Sequence, residues 1–191
     1  TITEDNADGF KLTGITVDSK DQTDSNDAFG TVTTTTSEAV FTNEREKGNI
    51  ELSKKLVSSN AADADVEFQF GIGLSDRTIS GTFGDVTFTN GIGTATIKGG
   101  ETKVVTGLPT GITYNIVEGA ADGFELTGII VDETNKTSSG IADGTISLTP
   151  SKVKFENTRI PGGLKVTKTV ISTTASDKQK DFNFKVTLTG L

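Results

Sequence analysis

Ile116-Val-Glu118-Gly-Ala-Ala-Asp122-Gly123-Phe124-Glu-Leu126-Thr127-Gly128-Ile129 restates, 114 residues later, the opening run Ile2-Thr-Glu4-Asp-Asn-Ala-Asp8-Gly9-Phe10-Lys-Leu12-Thr13-Gly14-Ile15. The register then holds without a gap. Phe41-Thr-Asn43 meets Phe155-Glu-Asn157, and Leu52-Ser-Lys54 meets Val166-Thr-Lys168, with about 30 of the 77 overlapping positions identical. A fixed period of this size marks an array of similar domains. The phase divides the 191 residues into the C-terminal part of a preceding repeat (1–47), a complete repeat (48–161) and the N-terminal part of a following one (162–191). Neither end piece has a counterpart of the stretch between Arg77 and Tyr114. The chain therefore reads either as an excerpt of a longer polymer or as a unit whose ends neighbouring chains complete.

Working outward from the repeated run, strand signals recur at short intervals between Gly, Asn, Asp and Ser clusters. They predict strands over Ile50–Val57, Val66–Ile72, Asp85–Asn90, Thr94–Lys98, Thr102–Thr106, Thr113–Glu118, Phe124–Asp132, Gly144–Thr149 and Val153–Asn157. Spacing of this kind belongs to an all-β sandwich. Between the fifth and sixth lies Gly107-Leu108-Pro109-Thr110-Gly111, where Pro and Gly set the turn geometry. We read an immunoglobulin-like sandwich whose first and last strands are Ile50–Val57 and Val153–Asn157.

Composition narrows the function. The net charge is -8, which opposes binding to nucleic acid or anionic lipid, because those partners require a basic patch. Cys, His, Met and Trp are absent, which removes disulfides, zinc sites of the usual N/S type and the Ser-His and Cys nucleophile systems. No apolar run is long enough to span a bilayer. No cofactor or metal is expected. The acidic run Asp18-Ser-Lys-Asp21-Gln-Thr-Asp24-Ser-Asn-Asp27 could hold calcium, but its counterpart from Asp132 onward loses most of the acids, which favours a solvated loop.

Side chains alternate faces along a strand, so parity separates inward from outward positions. Ile50, Leu52 and Leu56 share a face, and Lys54 sits among them; Leu164, Val166, Lys168 and Val170 repeat the arrangement. Asn157 shares parity with Val153 and Phe155, as Asn43 does with Ala39 and Phe41. Glu118 follows Tyr114 and Ile116, and Glu4 follows Ile2. Three polar residues per repeat thus intrude on the core face.

A lone buried charge or amide costs several kcal/mol, so three intrusions are tolerable only if they meet. A low-dielectric site favours neutral forms, lowering the pKa of Lys54 and raising that of Glu118. Neutral Lys54 would be a nucleophile toward the Asn157 side-chain carbonyl, with Glu118 as proton shuttle, and the product would be an amide between the first and last strands. Two unreacted arrangements stand beside this one: a buried Lys-Glu ion pair with a hydrogen-bonded Asn, and a lysine whose ammonium snorkels out at a sheet edge.

At these residues the chain resembles the isopeptide-forming domains of Gram-positive surface proteins, the pilin backbone domains and Cna B-type stalk repeats. The likeness lies in Leu52-Ser-Lys54-Lys-Leu56, in Gly107-Leu108-Pro109-Thr-Gly111-Ile-Thr-Tyr114-Asn-Ile116-Val-Glu118 and in Phe155-Glu-Asn157-Thr158. It implies tandem immunoglobulin-like (Cna B-type) β-sandwich repeats with a self-formed bond from Lys54 to Asn157 assisted by Glu118. Glu4, Asn43 and Lys168 would be the equivalents in the partial repeats. It further implies a structural role in an adhesin stalk, pilus or filament at the bacterial cell surface, with neighbouring repeats or filament subunits as partners and no enzymatic activity on external substrates. The chain shows neither an LPxTG-like sorting signal nor a YPKN-like pilin lysine motif, so nothing in it points to polymerisation by sortase.

A ligand-binding adhesion module without a covalent staple is the alternative from another class, since sandwich loops readily carry sites. Against it stand the low aromatic content of 6% and the core parity of most Phe residues. A further arrangement has Gly163–Leu191 of one chain supplying strands to the Thr1–Lys47 region of another, with Lys168 facing Asn43.

Overall fold

The computed structural model describes residues 1–187. Strands come in the order β1 (Ile2–Thr3), β2 (Phe10–Val17), β3 (Lys20–Asp21), β4 (Asp27–Ala28), β5 (Ala39–Arg45), β6 (Lys47–Val57), β7 (Glu67–Leu74) and β8 (Gly81–Phe83). They continue with β9 (Val86–Thr89), β10 (Ile92–Lys98), β11 (Thr102–Pro109), β12 (Thr113–Glu118), β13 (Phe124–Val131), β14 (Thr134–Asn135), β15 (Ala142–Thr145) and β16 (Ser151–Arg159). Four short 3-10 turns complete the assignment, and no α-helix occurs among the described residues.

Two sheets face each other. One runs β15-β12-β7-β10-β9-β8, the other β11-β6-β16-β13-β14. Alternation along the strands fills the space between them. In β6 the buried positions are Gly48, Ile50, Leu52 and Lys54; in β16 they are Ser151, Val153, Phe155 and Asn157. Phe70 of one sheet meets Phe155 of the other edge to face at 5.1 Å, and Phe68 meets Phe124 likewise at 5.4 Å. Aromatic pairs in this geometry add about 0.5–1.5 kcal/mol beyond the apolar area they bury.

The first and last strands of the sandwich are neighbours. β16 pairs with β6 in parallel, with Val153 beside Leu52, Phe155 beside Lys54 and Asn157 beside Leu56. Parallel neighbours cannot be joined by a tight hairpin, and here the intervening chain builds the rest of the sandwich.

The first 47 residues carry the same pairings at the repeat spacing. Ile2 sits opposite Ala28 as Ile116 sits opposite Ala142. Phe10 opposes Arg45 as Phe124 opposes Arg159, and the register shifts between Leu12 and Gly14 as it does between Leu126 and Gly128. A small cluster of Ile15, Val17 and Ala28, backed by Leu12, Ala39 and Phe41, forms the core of this piece. From Ile160 to Val186 no strand is assigned; a 3-10 turn at Ala175–Gln179 mirrors the one at Ala61–Asp65.

All nine strands predicted over residues 48–161 are present, the one over Thr113–Glu118 with the predicted ends and the others with shifted ones. The one read as Gly144–Thr149 is displaced to Ala142–Thr145, because Ile146 leaves the ladder to exchange hydrogen bonds with the turn after β11, its amide donating to Ile112 O and its carbonyl accepting from Gly111 N. Val66 falls outside β7 because its amide caps the 3-10 turn by donating to Asp63 O. The short strands β8 and β14 lie in stretches for which the sequence pattern predicts no strand.

Candidate functional site

Lys54, Glu118 and Asn157 converge between the sheets. Lys54 is near the middle of β6, with its backbone clamped on both sides: its amide donates to Glu101 O and its carbonyl accepts from Gly100 N. Its side chain is wholly buried, and that of Glu118 nearly so. The ammonium lies 3.4 Å from Glu118 Oε2 and 4.3 Å from the centre of the Phe68 ring. An aromatic face offers a desolvated cation partial compensation for lost water.

Glu118 reaches this point from the opposite sheet. It is the last residue of β12, paired with Phe70 of β7, and the chain turns away immediately after it, where Gly119 donates to Gln69 O. Its other oxygen, Oε1, accepts from Asn157 Nδ2 at 2.6 Å. One carboxyl therefore bridges the lysine of the first strand and the amide of the last. Asn157 Oδ1 is buried without a hydrogen-bond partner. A buried acceptor left unsatisfied costs about 1–3 kcal/mol.

The electrostatics run in the direction of neutralisation. Burial lowers the pKa of Lys54, opposed by the charge and hydrogen bond of Glu118. Burial raises that of Glu118, opposed by Lys54 and by the hydrogen bond from Asn157. Both shifts favour moving the proton from the ammonium to the carboxyl, leaving an amine next to a carboxylic acid. Snorkelling of Lys54 to solvent, one of the arrangements open at the level of sequence, is excluded by its burial. The Asn157 amide faces Glu118 through its nitrogen.

The counterparts 114 residues away show parts of the same arrangement. Asn43 Nδ2 donates to Glu4 Oε1 at 2.6 Å, matching the Asn157–Glu118 bond. Lys168 lies over the ring of Phe182 at 4.5 Å, as Lys54 lies over Phe68. Phe68 was not singled out from sequence, although its recurrence as Phe182 was a usable signal. Asp63 was also missed: buried, it accepts from Ser58 Oγ at 2.5 Å and faces Arg159 at 3.4 Å, tying the segment after β6 to the end of β16.

Among the described residues no group of three or more His, Cys, Asp or Glu side chains is placed to hold a metal ion. Asp21 instead accepts from the backbone and hydroxyl of Thr23.

Residues 48–159 match a family model whose description is "Domain of unknown function (DUF7601)". The chain belongs to that family. This DUF7601 chain is 40% identical over 80 residues to the pilus tip adhesin Cpa of Streptococcus pyogenes, an alignment that takes in 38% of this chain and 12% of the adhesin. Its fold is that of solved pilins. The major pilin T-13 of S. pyogenes superposes with a TM-score of 0.53 at 17% identity, covering 82% of this chain and 64% of the pilin. The S. pyogenes major pilin T3.2 gives 0.52 at 19%, with the same coverage. The DUF7601 chain thus has the immunoglobulin-like β-sandwich fold of these pilins.

Proposed function

We propose that the chain is a section of a bacterial surface stalk or pilus shaft, in which residues 48–161 form one complete load-bearing repeat between parts of its neighbours. The observation that carries this reading is the fully buried bridge Lys54–Glu118–Asn157 between the first and last strands. Structural burial of such a cluster is costly, and a covalent product removes the cost.

The chemistry balances on the residues present. Lys54 gives its proton to Glu118, and the neutral Nζ attacks Cγ of Asn157. Glu118 then delivers the proton to Nδ2, the Cγ–Nδ2 bond breaks, ammonia leaves, and a secondary amide joins Nζ to Cγ. Nζ passes its remaining extra proton to the Glu118 carboxylate, which ends protonated, and the site is spent after one turnover. The orientation of Asn157 supports this order, since the nitrogen that must depart is the atom on the carboxyl. Supporting the surface role, the relative with the higher identity is a pilus tip adhesin and the superposed folds are major pilins. Partners on this reading are neighbouring repeats or filament subunits outside the cell.

Intact-mass measurement on the denatured chain tests it. A deficit of about 17 Da, one ammonia, absent in Lys54→Ala and Asn157→Ala, is the expected result. An unshifted mass removes the covalent mechanism.

A further inference from the structure

The contact between the first 47 residues and the complete repeat is built from groups that recur 114 residues later. At the first position, Glu46 N donates to Gly9 O at 2.9 Å and the Arg45 guanidinium covers the Phe10 ring at 4.7 Å. The turn of the complete repeat that follows β11 is seated on this surface. Thr110 N donates to Glu46 O at 3.0 Å, and Arg45 Nη2 donates to Thr110 O. The fit is close: a side chain at Gly9 would press on Thr110 Oγ1 at 3.0 Å and on the Arg45 guanidinium at 3.1 Å. One at Gly111 would meet Arg45 Nη2 at 3.3 Å. Thr110 is buried by this docking, although it sits in a turn.

The same socket stands at the far end of the complete repeat. Ile160 N donates to Gly123 O at 2.9 Å, and the Arg159 guanidinium covers the Phe124 ring at 4.9 Å. Gly123 has φ +81°, as Gly9 has +78°, and a side chain there would meet Arg159 Nη1 at 3.2 Å. Glu46 contributes only main-chain atoms to the seated turn, so Ile160 can replace it without loss. Arg159 is in addition aimed by Asp63, 3.4 Å away, while 41% of its side chain stays exposed.

We infer that Gly123, Phe124, Arg159 and the Ile160 carbonyl form a docking socket for the Leu-Pro-Thr-Gly turn of a following repeat, seated as Thr110 is seated on Gly9, Phe10, Arg45 and Glu46. The occupant is identified by the filled copy of the socket in this chain. Such a joint fixes the angle between consecutive repeats through a main-chain hydrogen bond and a hydrogen bond from an arginine, independently of the covalent staple. It rests on the repeat reading above, not on the bond.

The test lengthens the full chain with residues 78–159 joined after Leu191, which continues the third repeat in register. The chain has no cysteine, so cysteines replacing Thr87 and its appended copy can be spin-labelled alone and their separation measured by pulsed electron resonance. A single narrow distance distribution is expected. Arg159→Ala, and Gly111→Val in the appended copy only, should each at least double its width, while amide exchange of the strands in both repeats stays unchanged. The two variants act from opposite sides, so misfolding caused by one leaves the other decisive. A broad distribution in the parent, or a narrow one in both variants, overturns the socket. An appended segment without exchange protection defeats the repeat reading and the socket with it.

Discussion

Asn157 presents its amide nitrogen, and not its carbonyl, to Glu118, at 2.6 Å from Oε1. The carboxyl that takes the Lys54 proton is thereby also the group that can hand it to the departing nitrogen. Asn157 Oδ1 meanwhile has no partner in the core. The acid thus combines a position between the two strands with the ability to carry a proton.

Glu118→Gln separates those two properties. Glutamine keeps an acceptor for Asn157 Nδ2 but cannot take up a proton from Lys54, so the variant should fold and retain its full mass. Glu118→Ala should retain full mass too, and lose more stability, about 3–5 kcal/mol, because it strands a buried ammonium. Mass spectrometry and urea unfolding of the two variants read both quantities. Ammonia loss by Glu118→Gln at the parent's extent would contradict the shuttle.

The unreacted pair should be visible through pH. Asn157→Ala blocks the bond and keeps both titrating groups. Glu118 has a folded pKa above its ordinary 4.5, so its contribution to stability is complete below that value and is lost as pH rises through the raised one. Lys54 has a folded pKa below its ordinary 10.5, so its contribution is complete above that value and is lost as pH falls through the lowered one. Unfolding free energy of Asn157→Ala should therefore fall on the way up from pH about 4.5, then recover on the approach to 10.5. Adding Glu118→Gln should abolish the acid limb. In the bonded parent the lysine limb should be missing, since an amide nitrogen does not titrate.

Loss of the staple should show in heat and under force. Residues 54 to 157 enclose a loop of about 100 residues, for which the entropy estimate used for disulfides gives about 4.7 kcal/mol. Lys54→Met, which leaves no buried charge on β6, should lower Tm by about 20 °C at roughly 4 °C per kcal/mol. Pulled from its ends, the parent repeat should yield no long extension. Lys54→Met should release about 100 residues, on the order of 350 Å at about 3.5 Å each. A similar extension in the parent would mean that the load does not pass through a bond.

Much of the site was legible from parity because β6, β12 and β16 are regular where it matters: buried Ile50, Leu52 and Lys54 alternate with half-buried Asn49, Glu51 and Ser53, and buried Tyr114 and Ile116 alternate with exposed neighbours before Glu118. Period-two alternation fixes which face a residue takes, but not which strand lies opposite it. That is why the Phe68 ring beneath Lys54 and the Asp63–Arg159 bridge escaped notice. Orientation of the Asn157 amide was equally beyond reach, since it depends on which of its ends the last residue of β12 meets. Strand ends drifted where hydrogen bonds leave the ladder, as at Ile146, for which apolar pattern carries no signal.

A second polar chain, buried at Tyr114 and Ser151 and exposed at Asp132 and Lys152, supplies a control on folding alone. Tyr114 Oη lies 2.6 Å from Ser151 Oγ, which donates to Asp132 Oδ2 at 2.8 Å, while Lys152 N donates to Asp132 Oδ1 at 2.7 Å. With the Ser151 proton committed to Asp132, the tyrosine hydroxyl donates to Ser151. Burial raises the Tyr114 pKa, which keeps that hydroxyl protonated. Tyr114→Phe should cost about 0.5–1.5 kcal/mol, the net value of one such bond. Asp132→Ala should cost more, because it leaves both the Ser151 hydroxyl and the Lys152 amide without an acceptor. Ser151 stands beside Ile50, four residues along β6 from Lys54, on the order of 13 Å at about 3.3 Å per residue. Both variants should therefore keep the full ammonia deficit while losing stability in urea. Loss of the deficit in Tyr114→Phe would mean that bond formation follows general packing of the sandwich, not the local placement of Glu118 between Lys54 and Asn157.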